Sequence, residues 1–250
     1  MAALVATAAW CILAYALMMF VFRFEWGDGG TVGNSSFLAA YLSLAIWPGL
    51  ALGGIYIWAA GMIAVMLLHL GKITSLLGVG MSIAVWLAQR TQKPALIVTL
   101  AALLTIVGGF YGARLRSISG RIEFAMGGLA MIRDFPLGVG RGNFPLLFPA
   151  YDPSTNVVLT HQQQPYVNAA HNDILQIAIE ASPLAAIVFL TALWMIFCRL
   201  AKARDPLCHA LTLSAVAFLP QLVLNLPMEG ADQIVPFWLI LGMAWRMSSV

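Results

Sequence analysis

Charge is what this sequence has least of. Only 9% of its 250 residues are Asp, Glu, Lys or Arg, where soluble domains carry about 25%. A chain of this length cannot coat itself with so little polar surface, which excludes an ordinary cytosolic enzyme. The net charge is +3, and no run of Lys and Arg reaches the density of a nucleic-acid site, so nucleic acid is excluded as a partner. Cysteine is scarce too. Cys11, Cys198 and Cys208 are odd in number and lack Cys-x-x-Cys spacing, which excludes a disulfide framework and leaves them as small apolar residues. His69, His161, His171 and His209 show no metal-ligand spacing, and neither His-Glu-x-x-His nor Gly-x-Ser-x-Gly occurs. The expectation is therefore no metal, no cofactor and no serine nucleophile.

What is present is hydrocarbon. Hydrophobic residues make up 61% of the chain and mean hydropathy is +0.89, values that predict an all-α, polytopic membrane protein. A span needs about 20 apolar residues. The stretches 3–22, 73–89, 94–111, 174–198, 207–226 and 234–247 qualify. Segment 36–70 is too long for one upright span. Pro48-Gly49 and Gly53-Gly54 near its middle favour a split into 36–52 and 54–70, and a single tilted helix is the alternative. The split predicts about eight spans in a single integral-membrane domain over residues 1–250. Residues 1–22 lack a basic n-region and a cleavage site, so they read as a first span and not as a signal peptide.

Orientation follows from the basic loops. Arg90, Lys93, Arg199, Lys202, Arg204 and Arg246 face only Asp205 on one side, which makes that side cytoplasmic. The other face receives segments 23–35, 112–173 and 227–233. Segment 112–173 is the only long polar stretch, and loops of that length are usually functional. It starts with Arg114 and Arg116. An amphipathic helix follows, capped by Ser119, with Ile122, Ala125, Met126 and Leu129 as its apolar stripe and Arg121 on its wetter side. Asp134-Phe135-Pro136 stops it. Gly138-Val139-Gly140-Arg141-Gly142 does not have dinucleotide-binding spacing and follows no strand, so it reads as a turn.

The most informative segment is Ala170-His171-Asn172-Asp173-Ile174-Leu175-Gln176, ending at Glu180. Asp173 and Gln176 have capping-box spacing, which predicts a span starting at Asp173 with His171 just outside the apolar region. His171 is the candidate base, although a loop histidine can also be merely solvated. Glu180 lies about 10 Å further along the helix at 1.5 Å per residue. A carboxylate at that depth is a site candidate, or else a structural partner for a basic residue. Lys72, beside His69 at a span end, is either a snorkelling anchor or a phosphate contact. Arg114, Arg116, Arg121, Arg133 and Arg141 fall within 28 residues of an outer segment, where positive charge is normally depleted. Their forked guanidinium groups suit an anion such as a diphosphate. Anionic lipid headgroups, Glu123 or Asp134 are the alternative partners.

Together these residues resemble a family. Arg121-Ile122-Glu123-Phe124-Ala125-Met126, the turn Asp134-Phe135-Pro136-Leu137-Gly138-Val139-Gly140 and the helix start His171-Asn172 look like the O-antigen ligase and polymerase family. Gly33-Asn34-Ser35-Ser36-Phe37-Leu38 matches that family's pattern after an early outer loop, and the likeness covers about residues 30–245. The resemblance implies a metal-independent glycosyltransferase in the bacterial inner membrane, with its site on the periplasmic face. Its donor would be an undecaprenyl-diphosphate-linked glycan, and its acceptor a lipid or glycan hydroxyl. His171 matches the family's base, Arg121 the arginine opening the outer helix, and Lys72 a basic position at a span start. Glu180 is assigned to orienting the site, and Arg141 and Asn172 to donor contact. The sequence departs from the family at Ala181-Ser182-Pro183, where a small glycine-rich turn is usual, and several N-terminal spans are missing, as in a fragment or shortened homologue. An O-antigen polymerase or protein glycosylase is the expectation's near alternative. A transporter without chemistry, or an inactive truncated chain, is the distant one.

Overall fold

The computed structural model describes residues 2, 5–6, 35–91, 116–152, 169–225, 228 and 231–248, and all regular structure among them is helical. The helices are α1 (Ser35–Leu52), α2 (Ile55–Leu70), α3 (Ile73–Thr91), α4 (Arg116–Asp134), α5 (Phe144–Leu147, followed by a 3-10 turn Phe148–Ala150), α6 (Asp173–Glu180), α7 (Pro183–Leu200), α8 (Pro206–Leu224) and α9 (Ala231–Met247). The expected span 94–111 and all of 3–22 but residues 5–6 lie outside the described residues, as do Cys11, Lys93, Arg114 and His161.

Among the described residues three helices are long and apolar enough to cross a membrane: α3, α7 and α8. The apolar stretches Ser36–Leu52, Ile55–Leu70 and Ile234–Met247 are shorter. Segment 36–70 is two helices, and the break falls at Gly53-Gly54, both with positive φ. Pro48 stays inside α1. Two other expectations are corrected. Span 174–198 is broken at Ala181-Ser182 into α6 and α7, with Pro183, whose φ suits a first helical position, opening the second. The amphipathic helix begins at Arg116, so Ser119 lies within it and does not cap it, while Asp134 ends it as expected.

The chain divides into two compact units. The first comprises Met1–Thr105, Ile196–Gln221 and Pro227–Val250. At its centre α1 is buried on nearly every side from Leu38 to Gly49 and packs mainly on α2, with α3 and α9 adding to it. Two pairs of polar side chains in this apolar interior satisfy each other, while the buried Ser214 hydroxyl has no hydrogen-bond partner among the described residues. Trp47 Nε1 donates to Ser82 Oγ at 2.8 Å, and Gln221 Nε2 donates to Ser75 Oγ at 2.7 Å. A Cβ on Gly78 would land on the Ala217 carbonyl, so α3 and α8 approach at backbone contact, as small residues allow between helices in lipid. The outward face of α2 is hydrocarbon: Ile55, Trp58, Val65 and Leu68 are each more than two-thirds exposed. Water would penalise that face, whereas lipid would not.

The second unit comprises Ile106–Met195 and Leu222–Leu226. Its core is Met131, Phe144, Phe148, Ala170 and Ile179. Phe144 and Phe148 stack at 4.8 Å, and Phe124 meets Phe148 edge-on at 5.6 Å. Gly127 and Gly128 leave α4 flat where Phe148, Tyr151 and Ile179 press against it.

Candidate functional site

Helix α6 is a short rod that joins the sequence's two informative segments. Asn172, extended at φ −157°, is its N-cap, and the Oδ1 atom accepts from Leu175 N at 3.0 Å. This corrects the expectation that Asp173 caps. Asp173 is the first helical residue, buried, where a carboxylate is favoured by the helix dipole. Gln176 bonds backward, its Oε1 accepting from Ala170 N at 2.8 Å. Two bonds thus clamp the turn around His171, one from either side.

His171 itself has φ 51°, the only positive φ at a non-glycine position among the described residues. Left-handed backbone at a non-glycine residue carries strain, and it persists where surrounding contacts hold it. Here the clamp holds it, and the imidazole lies on Phe124 with centroids 5.6 Å apart and planes 25° apart. The residue is only partly covered and keeps solvent-accessible surface.

Arg121 lies one turn before Phe124 on α4, the i, i+3 spacing that puts two side chains on one face. It is half-buried, and Nη2 reaches Asn225 Oδ1 at 3.5 Å. The helix therefore lies opposite to expectation. Ile122, Met126 and Leu129 are each more than half exposed, while Arg121 turns inward to His171 and Asn225. The reason is that Gly127, Gly128 and Met131 form the packing face. Burial holds the Arg121 guanidinium below its usual range. Burial, and then the Arg121 charge, push His171 below its ordinary value of 6.5. Both effects favour the neutral imidazole, the form able to accept a proton.

At the other end of α6 the glycine turn closes on the helix terminus. Val139 N donates to Ile179 O and Gly140 N to Glu180 O, both at 2.9 Å. Gly142 N donates to Glu180 Oε1 at 3.0 Å, and the same oxygen accepts from Gln176 Nε2 at 2.9 Å. Gly138, Gly140 and Gly142 have φ of 87°, 88° and 79°. The segment is a turn, as its spacing predicted. Its amides satisfy the carbonyls left over at a helix end and do not face outward as a phosphate cradle would.

The expected site residues separate into groups. His171 and Arg121 come together. Asn172 is next to them, with its side-chain oxygen engaged in the cap. Glu180 and Arg141 belong to the far end of α6, where Glu180 ties down the turn and Arg141 is exposed beside it. Arg133 pairs with Asp134 at 3.5 Å, and Asp134 also accepts from Tyr151 Oη at 3.0 Å. Lys72 lies in the first unit, in the two-residue turn between α2 and α3. Gly71 ends α2 in left-handed geometry, and the Lys72 carbonyl accepts from Ser75 and Leu76 to start α3. No cluster of metal-ligating side chains occurs among the described residues.

Two participants were not anticipated. Phe124 was readable, since it is one turn from Arg121. Asn225 was not, because 104 residues separate it from Arg121 and nothing in Leu224-Asn225-Leu226 marks it. In comparisons with known proteins, the chain matches no protein-family model and no curated protein.

Proposed function

We propose that this chain is a membrane-embedded glycosyltransferase that moves a glycan from an undecaprenyl-diphosphate carrier to an acceptor hydroxyl. The observation that carries this reading is the imidazole of His171, held in strained backbone and stacked on Phe124, beside the inward-turned guanidinium of Arg121. A base and an anion-binding group side by side are the two parts such a transfer needs.

His171 takes the proton of the acceptor hydroxyl as its oxygen bonds to the anomeric carbon. The bond from that carbon to the diphosphate oxygen breaks, and its electron pair leaves with the diphosphate. Direct displacement inverts the anomeric centre and involves no covalent enzyme intermediate. Arg121 stabilises the charge developing on the leaving group, a task that donors fixed in advance perform well. Asn225 holds the guanidinium in place, and Phe124 sets the plane of the imidazole. Asn172 and Glu180 are assigned to shaping the histidine's helix. The reading places the chain in the bacterial inner membrane with about eight spans, with segment 112–173 on the periplasmic face, and in the O-antigen ligase family that its motifs resemble.

His171→Ala, expressed in a strain lacking its own ligase, is expected to lose glycan transfer by about 10²–10⁴-fold, the contribution of a general base. Full activity in a well-expressed variant would overturn the assignment. Gel separation of lipopolysaccharide, free polymer and glycosylated protein from the same cells identifies the acceptor.

A further inference from the structure

In the first unit, at the ends of α7, α8 and α9, there is a cavity of about 650 Å³ lined by Lys202, Ala203, Arg204, Asp205, Met247 and Ser248. We infer that it binds the phosphodiester headgroup of an anionic phospholipid. Its depth follows from the helices. Residues 201–205 join α7 and α8, two of the three helices long and apolar enough to cross a membrane, so a pocket formed by this turn lies at headgroup level.

The charges point to an anion. Lys202 and Arg204 are exposed, and neither forms an ion pair among the described residues. The one acid in the lining is already engaged, since Asp205 Oδ1 accepts from Cys208 N at 2.7 Å as the cap of α8. At the rim Arg199 is held in position. Its Nε donates to Ser248 Oγ at 3.1 Å, and its guanidinium lies over the Trp245 ring at 4.0 Å. An indole with a fixed cation above it, beside two unpaired cations, combines an interfacial aromatic anchor with a basic pocket between membrane helices. The volume is within the range of about 300–1,000 Å³ typical of small-ligand sites. Met247 contributes the apolar wall that the start of an acyl chain would meet. This site uses none of the residues assigned to glycan transfer, so the two readings stand or fall separately.

The test is native mass spectrometry of the detergent-solubilised full chain, titrated with phosphatidylglycerol, with phosphatidylcholine, and with phosphatidylglycerol plus excess inorganic phosphate. Phosphatidylglycerol is expected to stay bound where phosphatidylcholine does not. Lys202→Gln with Arg204→Gln should weaken its retention about tenfold or more, since each cation near a membrane surface contributes about 1 kcal/mol. The exchange Lys202→Arg with Arg204→Lys should preserve retention. Equal retention of both lipids, or no effect of the double glutamine variant, would overturn the proposal. Displacement by inorganic phosphate would also overturn it, by showing that the site takes the free anion.

Discussion

His171 and Arg121 are coupled through charge, and the coupling has a sign. A positive guanidinium beside an imidazole disfavours the protonated ring, adding to the larger effect of burial. The base therefore stays competent as pH falls through 6.5, and the acid limb of the transfer rate should lie below that value. Arg121→Gln removes the smaller of the two causes. Its acid limb should move upward, toward 6.5 but not reaching it, together with a fall in maximal rate from the lost diphosphate contact. A pH profile of transfer by membranes carrying each variant measures this. An acid limb that stays in place would show that the two groups do not sense each other.

Glu180 has a different role at the same scale. Its Oε1 accepts from Gly142 N and Gln176 Nε2, so what matters is an acceptor at that position and not a charge. Glu180→Gln should keep most of the stability of the second unit. Glu180→Ala should cost about 1 kcal/mol, the net worth of a typical hydrogen bond, read as a lower thermal midpoint in detergent. If glutamine proves as damaging as alanine, the carboxylate's charge is doing more than holding the turn.

At the scale of the element, α6 and the glycine turn form one device. The turn caps the end of the helix away from His171, and backbone bonds from Val139 and Gly140 set the distance between them. Gly138 makes the closest approach: a Cβ there would come within 2.6 Å of the Ala181 backbone, at φ 87° where side chains are disfavoured. Gly138→Ala should therefore destabilise by about 1–3 kcal/mol. Limited proteolysis should then cut between Phe135 and Asn143 faster than in the parent chain. Protection equal to the parent's would mean that the turn relaxes without strain. The sequence displayed this turn through its glycines and the helix start through His171-Asn172. It did not display which residue caps. Asn172 and Asp173 are both good N-caps, and the register was decided by which backbone adopted the extended conformation. Nor did it display which side of α4 faces inward. An apolar stripe can face the core or turn outward, and the packing of Gly127, Gly128 and Met131 turned this one outward.

For the whole molecule, the basic residues predict an orientation. If the positive-inside assignment holds, a cysteine at position 202 in a cysteine-free background is modified only by reagents that reach the cytoplasm. Labelling of Lys202→Cys in intact cells by an impermeant maleimide would reverse the topology and move the proposed histidine site to the other face.

Composition determined on its own that the chain is helical and suited to a membrane, because with so little charge only hydrocarbon can serve as solvent for most of its surface. Local spacing also determined where 36–70 turns back, since the paired glycines at 53 and 54 offer the cheapest break. The break of 174–198 is local as well, since Ser182 Oγ accepts from Ala185 N ahead of Pro183. Tertiary structure alone decided the rest. It turned Arg121 inward and brought Asn225 to it across 104 residues. Those choices depend on which surfaces meet, and a pattern of residue types along the chain carries no record of its distant neighbours.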